Sequence, residues 1–180
     1  MRFLRAKRRF GLCLVIGLAI AVDVIAVEPV DEEILLAAIT HKFAEFTTWP
    51  ESVDKQTQLN LCVVGDNPVQ QAFASINGAV VEGKTLKLIN MSRLTNLEIC
   101  QILFIDELKP SVLLQVVEQI KDLPVLTMGK GQAFLDGGGM VGFEKKDDKI
   151  QMHVDLRPVE KARLKISSLL LKVANVRGGP

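Results

Sequence analysis

The stretch KGQAFLDGGGMVGF, residues 130–143, is dense in glycine and follows the apolar run LPVLTM (123–128). Glycine-rich loops behind a strand can cradle phosphate on backbone N–H groups, which is the chemistry of a nucleotide site. The spacing here does not fit. A dinucleotide fingerprint needs G-x-G-x-x-G opening into a helix. Gly129-Lys130-Gly131 is followed by Phe134 where the third glycine belongs, and no long helix is expected behind it. A Walker loop needs Gly-Lys-Ser/Thr four free positions after an earlier glycine, whereas Gly129-Lys130 runs into Gly131. Gly137, Gly138 and Gly139 precede a strand, where they read as a turn that supplies positive φ or admits a neighbouring backbone.

Other side chains capable of chemistry are scattered. His41 and His153 have no Cys or second His at ligand spacing, which argues against zinc. Ser167-Ser168 fall inside an expected helix, without the strand-turn-helix elbow that exposes a nucleophile. Asp147-Asp148 belong to a charged turn between two strands. These readings describe a protein that is not an enzyme, with no cofactor and no metal.

The N-terminus is distinctive. MRFLRAKRR carries five of the 22 basic residues in nine positions, and FGLCLVIGLAIAV (10–22) follows it. A basic segment, a short apolar core and small residues at Val24 and Ala26 predict a signal peptide over residues 1–26. The alternative is an uncleaved anchor, but the uninterrupted run of 13 residues is shorter than the roughly 20 that span a bilayer. Cleavage after Ala26 leaves residues 27–180 as one α/β domain. It removes five basic residues and Asp23, so 22 basic and 21 acidic become 17 and 20, a net charge of about −3. With no basic stripe, one Trp and no Tyr, nucleic-acid binding has little support. Cleavage also removes Cys13 and leaves Cys62 and Cys100. An even count in an oxidising compartment favours a disulfide, the alternative being two separate buried thiols.

Elements alternate along the rest of the chain. EPVDEEILLAAITHKFAEFTTWP predicts a helix with Leu35, Ile39, Phe43 and Phe46 on one stripe, capped by Asp31 and ended by Pro50, with Trp49 packed as core. QLNLCVV, KTLKLINM, CQILFID and PVLTM read as strands, PVQQAFASI and PSVLLQVVEQI as helices. GMVGFEKKDDKIQMHVDL reads as a β-hairpin. RPVEKARLKISSLLLKVANV reads as one closing helix with Val159, Ala162, Ile166, Leu169 and Val173 on a stripe. Continuous apolar strands between helices predict an α/β three-layer sandwich, with a largely parallel central sheet, a C-terminal β-hairpin and flanking helices.

The ordered set FTTWP, LNLCVVGDNP, EICQILFID, PVLTMGKGQAFLDGGGMVGF, IQMHVDL and ARLKISSLLLKVA resembles the YfiR family, DUF4154, over about residues 31–176. The resemblance implies a periplasmic repressor, often dimeric. It would bind the periplasmic sensory domain of a membrane diguanylate cyclase and restrain cyclic di-GMP synthesis and biofilm growth. The family's cysteine pair maps to Cys62 and Cys100, and a second C-terminal pair found in some members is missing. Asp155 stands where the family usually has Asn. A receptor for a small molecule, feeding a sensor kinase or a TonB-dependent transporter, is the alternative. For a partner surface the sequence offers two segments. One is the turn Gly137, Gly138, Gly139 and Met140; the other is Leu169, Leu170 and Leu171, the alternative being that both are core.

Overall fold

Eight strands form one sheet, and its inner strands are apolar on both faces. The computed structural model describes residues 31–147 and 149–179; the expected signal segment lies outside the described residues. Helix α1 (Glu32–Glu45) leads through β1 (Thr47–Thr48) and α2 (Glu51–Asp54) to β2 (Gln58–Val64), then α3 (Asn67–Ala74), β3 (Val80–Val81) and β4 (Lys84–Asn90). A 3₁₀ turn (Leu97–Ile99) precedes β5 (Ile102–Ile105), α4 (Pro110–Ile120), β6 (Leu126–Lys130) and α5 (Gln132–Asp136). The hairpin β7 (Val141–Lys146) and β8 (Lys149–Asp155) follows, then α6 (Leu156–Lys161), β9 (Lys165–Ile166), α7 (Ser168–Leu171) and β10 (Asn175–Arg177). The sheet order is β10-β8-β7-β6-β5-β2-β4-β3. Only β7–β8 and β3–β4 pair antiparallel within it.

Alternation along β5 shows why the strands read as continuous apolar runs. Ile102 and Phe104 enter one core with Phe43, Phe73 and Phe143, while Leu103 and Ile105 enter the other with Leu113, Val116 and Phe134. Each face is covered by helices, so no strand position in the centre can be polar without a partner. The sandwich has three layers, as the sequence implies.

Two elements depart from the sequence reading. In α1 the buried face is Leu36, Ala37, Thr40, Phe43 and Ala44, while Phe46 is exposed. Small side chains at 37, 40 and 44 form most of this stripe, and a search for large apolar residues passes over them. Asp31 does cap the helix, its carboxylate accepting from the N–H of Glu33 at 3.1 Å. The helix ends at Glu45, not at Pro50, because Thr47-Thr48 pair with Lys165-Ile166; Pro50 opens α2 instead. Trp49 is core, as expected.

The closing segment is not one helix. Arg163 takes φ +60° behind α6, Ile166 pairs with Thr47, and the Ser167 hydroxyl accepts from the N–H of Leu169 to start α7. The chain then returns as β10 alongside β8. Of the apolar residues at helical spacing here, Val159, Ile166 and Leu169 belong to α6, β9 and α7, while Ala162 and Val173 lie just beyond α6 and α7.

Cys62 of β2 and Cys100, at the end of the 3₁₀ turn, form a disulfide with Cα atoms 5.8 Å apart. It pins the turn against the face of the sheet covered by α4. With a separation of 38 residues, closing this loop restricts the unfolded chain by about 4 kcal/mol on the chain-entropy account. Cys62→Ser and Cys100→Ser should each lower the melting temperature of the oxidised protein by a similar amount. Unchanged melting in both variants would show that the bridge contributes nothing.

Candidate functional site

Apart from Gly131, the glycines at 129–142 abut side chains of α5 and α4. A Cβ on Gly129 would stand 2.6 Å from the Phe134 ring, and one on Gly139 would stand 2.1 Å from the same ring on another edge. Phe134 therefore lies in a slot whose walls are glycine. Cβ atoms at Gly137 and Gly142 would meet Leu113 and Leu135 at 2.6 and 2.8 Å. Backbone approaches as well: the same Cβ atoms on Gly129, Gly137 and Gly142 would stand 2.8, 3.3 and 3.2 Å from the carbonyl oxygens of Ile105, Ala133 and Gly131. Gly138 has φ +97°, a conformation that favours glycine. Met140 is buried, so it offers little surface to a partner, and its N–H donates to the Thr127 hydroxyl at 3.0 Å. The turn Gly137 to Met140 is a packing device.

Asp155 fastens this turn to the C-terminus. Its side chain is 3% exposed. Oδ1 accepts from the backbone N–H and Nε of Arg157 at 3.1 and 3.0 Å; Oδ2 accepts from Arg157 Nη2 at 2.6 Å and Arg177 Nε at 2.9 Å. The Asp155 N–H donates to the Met140 carbonyl at 2.9 Å. Arg177 reaches on to Asp136 of α5 at 2.8 Å. A single carboxylate thus links β8, α6 and β10, and Arg177 extends the link to α5. Sequence reading singled out Asp155 but not its arginines. Arg177 lies 22 residues away and meets it only because β10 pairs with β8 in register.

A second ion group sits at the carboxyl ends of the parallel strands. Lys130 Nζ is 2.6 Å from Asp106 Oδ1 and 3.4 Å from Glu33 Oε1. Burial opposes its charge, and the contacts to Asp106 and then Glu33 outweigh that and raise its pKa. This lysine is answered by carboxylates of the protein itself, so it ties β6 to β5 and α1. No group of His, Cys, Asp and Glu able to hold a metal ion occurs among the described residues.

The C-terminal edge is different in character. Leu170 is buried, Leu171 partly so, and Leu169 is 62% exposed. Val173 and Val176, which follow in the chain, are 66% and 43% exposed. β10 is the last strand of the sheet, so among the described residues one row of its backbone groups lacks a neighbouring strand. Of the two segments expected to face a partner, only this one offers apolar side chains to solvent.

The Asp155 network carries a testable pH dependence. Hydrogen bonds from Arg157, then the backbone N–H and Arg177, overcome burial and hold its carboxyl below the usual carboxylate range. A depressed folded pKa contributes stability that is present above the unfolded value of about 4 and lost as pH falls through the folded value. Asp155→Ala should cost about 1.5–3 kcal/mol near neutrality. The stability gap between wild type and Asp155→Asn should narrow as pH falls from 5 to 2. Denaturant titrations across that range check this, and a gap independent of pH would contradict it.

Among curated proteins, none matches the chain. Among solved structures, it is similar to a conserved domain protein from Vibrio cholerae O1 biovar eltor str. N16961, with a TM-score of 0.48 and 8% identity. The similarity covers 78% of this chain and 59% of that one. The family DUF4154, YfiR/HmsC-like, matches residues 34–175, from α1 into β10. The chain belongs to this YfiR/HmsC-like family.

Proposed function

We propose that this protein is an exported regulator which binds the periplasmic sensory domain of a membrane diguanylate cyclase and represses cyclic di-GMP synthesis. The observation that carries the reading is the family match across residues 34–175. The amino-terminal sequence, with its basic start and short apolar core, supports export, and the Cys62–Cys100 disulfide suits an oxidising compartment. No helix among the described residues is long and apolar enough to cross a membrane.

A repressor of this kind needs a surface rather than a catalytic group. It has only to bind the inactive conformation of its partner better than the active one, and about 1.4 kcal/mol of difference shifts that equilibrium tenfold. Exposed Leu169 of α7, Val173 after it and Val176 of the edge strand β10 suit such contact. A second copy of the chain is the other occupant this edge would take, and the mass of the isolated protein in solution separates the two.

Deleting the gene should raise cyclic di-GMP only in cells that express the partner cyclase. Leu169→Glu, at an exposed position where folding is little affected, should give the same rise while the protein accumulates normally. Unchanged cyclic di-GMP in the deletion strain, with the cyclase present, would overturn the repressor reading.

A further inference from the structure

Between α4, the glycine turn and α6 lies a cavity of about 260 Å³, just under the roughly 300–1,000 Å³ of most ligand pockets. Val117 and Ile120 of α4, Met140 and Pro158 give it apolar walls, and Gly138 contributes no side chain where one would otherwise intrude. Lys121, Arg157 and Lys161 also line it. This site is separate from the exposed C-terminal edge and does not rest on the partner reading.

The unspent polar capacity of its side chains is all of one kind. Lys161 has no carboxylate within ion-pair distance among the described residues, whereas Lys121 is paired with Glu118. Arg157 commits Nε and Nη2 to Asp155, leaving Nη1. Thr127, 3% exposed, accepts from the Met140 N–H, and its own hydroxyl proton has no acceptor among the bonds of the described residues. The carboxylates nearby are already engaged: Asp155 is saturated by two arginines, and Glu118 is paired with Lys121. Donors and positive charge around apolar walls call for a ligand with acceptors, negative charge and an apolar body.

We propose that this cavity binds a small amphipathic carboxylate, with its apolar part against Val117, Ile120, Met140 and Pro158 and its charge toward Lys161 and Arg157. The cavity's size limits it to a short alkyl chain or one ring.

Calorimetric titration with octanoate, octanol and octylamine tests this on the mature oxidised protein. Octanoate should bind at one site, octanol at least tenfold more weakly, and octylamine not at all. Lys161→Glu, an exposed change with no expected effect on melting, should weaken octanoate at least tenfold. Val117→Phe should abolish binding by filling the cavity. Failure of octanoate to bind at millimolar concentration would overturn the proposal. So would equal affinity for octanol or octylamine, or undiminished octanoate binding by Lys161→Glu. The charge-reversal arm stands even if Val117→Phe disturbs the fold.

Discussion

The Phe134 ring between Gly129 and Gly139 is the contact on which the second half of the molecule depends. Strands β6 and β7 are adjacent and parallel, and only residues 131–140 join them. Parallel neighbours usually need a crossover of a dozen residues or more. The chain manages with fewer because α5 is a five-residue helix pressed against the inner strands β6 and β7, with Phe134 and Leu135 buried in space that glycines leave open. Any side chain at 139 would have to displace the ring. The crossover places Met140 in the core, and Met140 in turn receives the Asp155 N–H. The C-terminal elements are built outward from there.

Electrostatics completes what packing begins. Asp155 is buried, and leaving such a charge unpaired would be strongly destabilising. Two arginines satisfy it from different directions, one from the adjoining helix and one from the last strand. Arg177 thereby holds β10 in register beside β8, so the exposed leucine and valines of the C-terminal edge are presented on a fixed scaffold. The surface proposed for a partner therefore depends on the buried carboxylate of Asp155.

How much of this is legible in the sequence depends on element length. The parallel sheet shows in uninterrupted runs such as ILFI, because both faces are covered. The α4 helix runs from Pro110 to Ile120 as its proline start and apolar spacing imply. The hairpin is marked by its charged turn. Short elements mislead. Residues 159, 162, 166, 169 and 173 share a helical period, yet Arg163 at positive φ and a two-residue strand break the helix. The glycines are conspicuous in the sequence. Their purpose is not, because it lies in rings and methyl groups brought alongside by tertiary contact. The cysteine pair is readable from its count, and the arginines of Asp155 only from the sheet register.

The central claim is that Gly139 is small because Phe134 occupies its space. A double-mutant cycle with Gly139→Ala and Phe134→Leu measures that directly by denaturant unfolding. Gly139→Ala alone should destabilise by about 1–3 kcal/mol through overpacking. The same change in the Phe134→Leu background should cost markedly less, with a coupling above about 0.5 kcal/mol. Costs that simply add, within about 0.5 kcal/mol, would contradict the account and show that the glycine is required for some reason other than the ring.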